Sequence, residues 1–171
     1  MRKGLTSKVG MFAMLVAAIL TISATSVTGE ASRVQWFTIQ NNAACSSSAW
    51  YTSLYFNVNN TVSSSTDITL RLYNDAGSEI TIPTQNSAGY PTGTITPGTT
   101  FTLAGKSTNH YILVVGAGTT NSCDDRPAYG KIVVESDSGL VMAGGEIKSA
   151  RASDGFLYTR SDIVVNGGKP F

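Results

Sequence analysis

The sequence predicts an all-β chain, an antiparallel β-sandwich of eight or nine short strands carrying one disulfide. Three observations support that prediction. Apolar and polar residues alternate in segment after segment, no stretch sustains a helical period, and clusters of Gly, Pro, Asn and Asp interrupt the pattern at short intervals. Threonine and β-branched residues run throughout, which suits pleated, half-buried strands. A closed barrel is the less favoured arrangement of the same pattern.

At the N-terminus, Arg2, Lys3 and Lys8 precede an apolar stretch from Val9 to Ile22, and small residues follow at Ala24, Ser26 and Gly29. That is the three-part layout of a secretory signal, and the apolar run falls short of the roughly 20 residues a bilayer span needs. Residues 1–29 are therefore expected to be a signal peptide, with cleavage after Ser26, Gly29 or Ala31 left open and no transmembrane span after processing. Residues 30–171 then form one domain of roughly 140 residues, large enough to bury a core of its own. From Glu30 onward nine basic residues face eleven acidic ones, a net charge of −2. This removes the electrostatic case for nucleic acid or an anionic membrane surface as partner.

Trp36 to Ile39 is expected to be the first strand, at a sheet edge. In the next, Trp50, Thr52, Leu54, Phe56 and Val58 share one face while Tyr51, Ser53, Tyr55 and Asn57 share the other. Ile68, Leu70 and Leu72 alternate with Asp67, Thr69 and Arg71, and Asn74 to Gly77 supplies turn chemistry before Ile80 and Ile82, so this stretch reads as a hairpin. Pro83 to Thr100 reads as a long surface connection with one short strand near Ile95. Phe101 and Leu103 begin another strand, and His110 to Val115 is an apolar run expected to be covered on both faces. After the polar loop 116–127, Tyr129 to Ser136, the turn Asp137-Ser138-Gly139 and Leu140 to Lys148 read as a hairpin. Phe156 to Thr159 and Ile163 to Val165 are the last two strand pieces.

Cys45 and Cys123 are expected to pair, because two thiols in one small exported domain meet an oxidising compartment. Closing a loop of about 80 residues restricts the unfolded chain by ~4 kcal/mol. The chain has no second pair of cysteines or histidines to complete a zinc set, and neither a metal nor a cofactor is expected.

Residues able to carry chemistry are few. His110 is the only histidine and no Gly-x-Ser-x-Gly elbow is present, so a catalytic triad is not expected. Asp124 and Asp125 lack the spacing of a calcium loop, and Arg126 beside them is expected to pair with a surface carboxylate. Glu135 and Glu146, on the two strands of the last clear hairpin, are expected to make cross-strand ion pairs with Lys131 and Lys148. Gly116-Ala117-Gly118 precedes no helical pattern and is not read as a phosphate loop. Asn59-Asn60-Thr61 matches the N-glycosylation acceptor pattern. Tyr51, Tyr55 and Tyr73 occupy the polar phase of their strands and are the candidate binding residues, on an exposed face where a sugar ring could lie against them.

Three segments, Asp67 to Glu79, Phe101 to Thr108 and Ile132 to Ala143, give the order strand and turn, strand into small polar residues, then a hairpin around Glu135-Ser136. In this order the chain resembles bacterial β-sandwich proteins of the sensory rhodopsin transducer type, over about half of the mature part. The resemblance implies a compact sandwich that works by interaction. The signal peptide, the cysteine pair and the longer middle loop depart from that family, so its cytoplasmic signalling role is not carried over.

The function expected from these readings is that of a secreted or cell-surface, non-enzymatic protein acting through protein–protein contacts in adhesion or structure. Self-assembly would use Val34 to Ile39 as a pairing edge, and a periplasmic location is the other compartment considered. The alternatives are a carbohydrate-binding module using Tyr51, Tyr55, Tyr73 or Trp50, and a secreted hydrolase acting through His110 or a carboxylate pair.

Overall fold

The computed structural model describes residues 33–40, 44–86 and 89–171; the expected signal peptide and its cleavage region lie outside the described residues. Nine strands follow one another: β1 (Arg33–Thr38), β2 (Trp50–Asn60), β3 (Thr66–Asn74), β4 (Glu79–Ile80), β5 (Thr100–Leu103), β6 (Thr108–Gly116), β7 (Pro127–Val134), β8 (Val141–Arg151) and β9 (Leu157–Val164). They form two antiparallel sheets. The first runs β1-β7-β3-β4, with β5 also paired to β3, and the second runs β6-β2-β8-β9.

The alternation in the sequence places the core between the sheets. Ile68, Leu70 and Leu72 of β3 and Ile132 and Val134 of β7 face inward from the first sheet. Leu54, Phe56 and Val58 of β2 and Tyr111, Leu113 and Val115 of β6 face them from the second, all of them buried. Each such aliphatic side chain stabilises the fold by about 1.5–3 kcal/mol. As expected, β1 is an edge strand. Its Phe37 turns inward over Gly130 of β7, where any β-carbon would collide with the Phe37 ring and with Leu72.

Cys45 and Cys123 form the expected disulfide, joining the lead-in to β2 with the one-turn 3-10 helix Cys123–Asp125. The β3–β4 hairpin is also present: Asn74 accepts the backbone N–H of Ser78 at 2.8 Å, and Gly77 takes the positive φ of +81° that its turn requires.

Two expectations are corrected. The segments on either side of Asp137-Ser138-Gly139 are not a hairpin, because β7 pairs with β1 and β3 in the first sheet while β8 pairs with β2 and β9 in the second. The turn carries the chain across the sandwich. Gly139 passes so close to the side chain of Thr66 that a β-carbon would not fit, and the Arg33 guanidinium donates to the carbonyls of Ser136 and Gly139. A corner and a hairpin share the same inward alternation and turn residues, so pattern alone does not separate them. The true hairpin partner of β8 is β9, one continuous strand where two pieces were expected.

The second correction concerns the segment after Pro83. It contains no strand near Ile95, whose side chain is instead fully buried in the core. The segment folds back along the outer edge of β6. Thr84 Oγ1 accepts the Ile112 N–H at 2.9 Å, the Gln85 N–H donates to the Ile112 carbonyl at 2.8 Å, and Gln85 Oε1 accepts the Val114 N–H. Asn109 exchanges hydrogen bonds with Thr94. Polar side chains thus do the work of a missing strand and seal that edge. The expected covering of both faces of β6 is met, with Tyr111, Ile112 and Leu113 all buried.

Candidate functional site

Tyr51 and Tyr55 lie on the outer face of the second sheet and Tyr73 on the outer face of the first, so the three tyrosines do not share a face. Tyr73 belongs to an aromatic ladder that runs across three strands. Its ring stacks on Tyr129 of β7 with centroids 5.0 Å apart, and Trp36 of β1 lies 6.2 Å from Tyr73 and 6.3 Å from Tyr129. Lys131, cross-strand partner of Trp36, holds its ammonium 4.8 Å from the Trp36 ring centroid. Arg71 continues the row and pairs with Glu79 through two hydrogen bonds, 2.9 and 3.1 Å.

On the second sheet Tyr55 stacks against Tyr90 at 4.8 Å, and Lys148 sits 4.6 Å above the Tyr55 ring. A shallow cavity of about 220 Å³ opens here beside Asn57, His110, Ile112 and Glu146. Burial pushes the Tyr55 phenol above its ordinary range, and its hydrogen bond to Tyr90, helped by the Lys148 ammonium, lowers that of Tyr90.

In both places the rings spend their faces on one another or on a cation, since cross-strand spacing is close to the ring-stacking distance. At the other end of the second sheet, Trp50 is likewise engaged by Tyr158 at 5.3 Å and by Arg151 at 5.4 Å.

The catalytic candidates are not brought together. His110 Nδ1 meets Asn57 Oδ1 at 2.7 Å, and Cys45 and Cys123 are both spent in the disulfide, so no thiol stands beside this imidazole. Glu135 accepts from Thr69 on the first sheet and Glu146 pairs with Arg160 at 2.6 Å on the second, so the two carboxylates lie on opposite outer faces. The ion pairs expected for them with Lys131 and Lys148 are therefore replaced by these contacts, and the lysines cover aromatic rings instead. The Asp125 carboxylate accepts the Ser122 N–H, the Asp124 N–H donates to the Ser122 hydroxyl oxygen, and Arg126 reaches Asp75 at 3.4 Å. Gly116 to Gly118 forms the turn after β6, and Asn59 lies within β2, where it accepts a hydrogen bond from Thr108. Among the described residues, no group of three His, Cys, Asp or Glu is placed to hold a metal ion.

The most distinctive surface is one side of the sandwich. β1 and β9 are the terminal strands of the two sheets and lie against each other on that side. These two strands carry exposed large apolar side chains, Val34 and Trp36 on the outer face of the first sheet and, with Phe156 just before it, Leu157, Tyr158 and Val164 along β9 of the second, Val164 at 62 %. The β1 edge is legible in the sequence and the β9 edge is not, because the Leu, Tyr, Thr, Arg, Ser, Asp, Ile and Val of β9 give no local sign that its far side has no strand partner among the described residues.

No family model, curated protein or solved structure matches this chain, so the resemblance to the sensory rhodopsin transducer type rests on the residues named for it. Among the described residues, no helix is long and apolar enough to cross a membrane.

Proposed function

We propose that this chain is an exported, non-enzymatic interaction protein that contacts other proteins through the side of the sandwich where β1 and β9 end the two sheets. The observation that carries this reading is the concentration of exposed large apolar side chains on two adjacent strands whose outer edges have no partner among the described residues, while the opposite edge at β6 is sealed by residues 84–86 and 93–94. Natural sandwiches protect strand edges with charge, proline or covering loops. Leaving one side bare and apolar while covering the other marks the bare side as a place of contact. The disulfide supports an oxidising location, outside the cytoplasm.

Photo-crosslinking in the producing culture tests this reading, with a benzophenone amino acid placed at Trp36, at Tyr158 and, as a control, at Thr102 on the far side of the first sheet. Protein adducts at positions 36 and 158, and none at 102, are the expected result. Absence of protein adducts at both open-side positions, together with specific retention on an immobilised glycan panel, would overturn it in favour of the carbohydrate module.

A further inference from the structure

On the outer face of the second sheet, β8 and β9 place like charges opposite one another. Lys148 pairs in register with Arg160, and Glu146 with Asp162. Directly opposed like charges weaken a sheet. Glu146 relieves part of this by reaching diagonally to Arg160, and Lys148 leans onto Tyr55. Asp162, exposed and beside Glu146, has no ion-pair partner among the described residues. The open margin of the second sheet therefore presents a positive row next to a negative row, two residues apart along one strand.

We propose that β9 pairs antiparallel with β9 of a second copy of this chain across a two-fold axis at Ser161, making one continuous eight-stranded sheet. This deepens the open-side reading and rests on it. The register follows from the charges. A two-fold normal to the sheet keeps outward residues outward, so the axis must pass through a residue. Centring it on Arg160 or Asp162 would oppose like charges, whereas centring it on Ser161 sets Arg160 against Asp162 of the second copy, twice. The same register brings Tyr158, 57 % exposed and at the bulge of β9, toward the exposed Val164 of the second copy, so apolar contacts flank the paired charges. The backbone groups along the free side of β9 gain ladder partners in the same step. The arrangement is isologous and closed, as in most natural dimers.

One cross-linking variant and one charge pair test the register. Ser161→Cys puts two thiols on the axis, at an opposed Cα separation of about 4.5–5.5 Å, inside the range a disulfide bridges. A covalent dimer on a non-reducing gel is expected for Ser161→Cys and not for Thr159→Cys, whose opposed residue is Ile163. Sedimentation equilibrium follows the charges. Arg160→Asp is expected to weaken association on the order of tenfold, because two attractive contacts become repulsive, and the swap Arg160→Asp with Asp162→Arg is expected to restore it. A strict monomer across the concentration range with no Ser161→Cys dimer, or a swap that fails to rescue a folded protein, would overturn the pairing. Adducts of the position 158 photo-crosslinker exclusively to a different protein would overturn this pairing and leave the open-side reading standing, whereas absence of adducts at both positions 36 and 158, with retention on the glycan panel, would remove both.

Discussion

Phe37 of β1 lies on Phe56 of β2, with ring centroids 5.0 Å apart and planes 16° from parallel, so an edge strand of one sheet is fastened to a central strand of the other. The contact lies in the core beside Gly130, whose missing side chain makes room for it. Phe37→Ala is expected to cost about 3–5 kcal/mol in urea unfolding. Because β1 pairs with β7 alone among the described residues, native-state hydrogen exchange should show its amides opening before those of β3.

The disulfide closes a separation of 78 residues. Replacing both Cys45 and Cys123 by Ala is expected to lower stability by about 4 kcal/mol, chiefly through the unfolded state. The fold should survive in part, since the core lies between the sheets and not around the bridge. Chemical denaturation of the double variant beside the parent measures the loss.

Asn60 is buried at the end of β2 and acts as a hub. Its amide nitrogen donates to the carbonyls of Ser64 at 2.7 Å, Leu103 at 3.1 Å and Ala104 at 3.2 Å, and its oxygen accepts the Val62 N–H. Asn60→Leu removes these partners while keeping bulk, and is expected to cost roughly 3 kcal/mol because the abandoned carbonyls have little access to water. The thermal midpoint should fall, with the strongest exchange changes in residues 61–66 and 103–105.

Tyr111 supplies a pH dependence. Its phenol is buried and donates to the Ile82 carbonyl at 2.9 Å, and burial raises its pKa above the ordinary value near 10. In the unfolded chain the phenol ionises first, so between the unfolded and folded values the native state holds the extra proton. This contribution is complete below about pH 10 and is lost as pH rises toward the folded value. Tyr111→Phe is therefore expected to flatten the alkaline limb of a stability-against-pH curve. At neutral pH it should cost about 1 kcal/mol for the lost hydrogen bond.

The strands were legible in the sequence wherever one face is apolar: Leu54, Phe56 and Val58, and likewise Ile68, Leu70 and Leu72, all point into the core as their spacing demands. Connectivity was less legible. The Asp137-Ser138-Gly139 turn joins two sheets, and what decides this is the fit of Gly139 against Thr66 and the reach of Arg33, contacts made across more than 70 residues of chain. The polar stretch after Pro83 hid a structural role because Thr84, Gln85 and Asn109 bond to or through backbone by side-chain groups, which leave no periodic trace. The aromatic ladder was half visible. Tyr73 stood out on its own strand, but Trp36 and Tyr129 join it only through the register of β1 and β7 with β3.

Gly93 packs so tightly on the His110 carbonyl that even a methyl group would displace the segment it belongs to. The seal over β6 thus depends on one small residue, and it sets the stoichiometry of anything built by strand addition. If β9 pairs as proposed, the second sheet has one open margin and one closed margin, so that sheet can be extended only once. Under that pairing the second sheet would stop at eight strands instead of growing into a fibre. Gly93→Ala is expected to push this segment off β6 and leave a second margin of that sheet open.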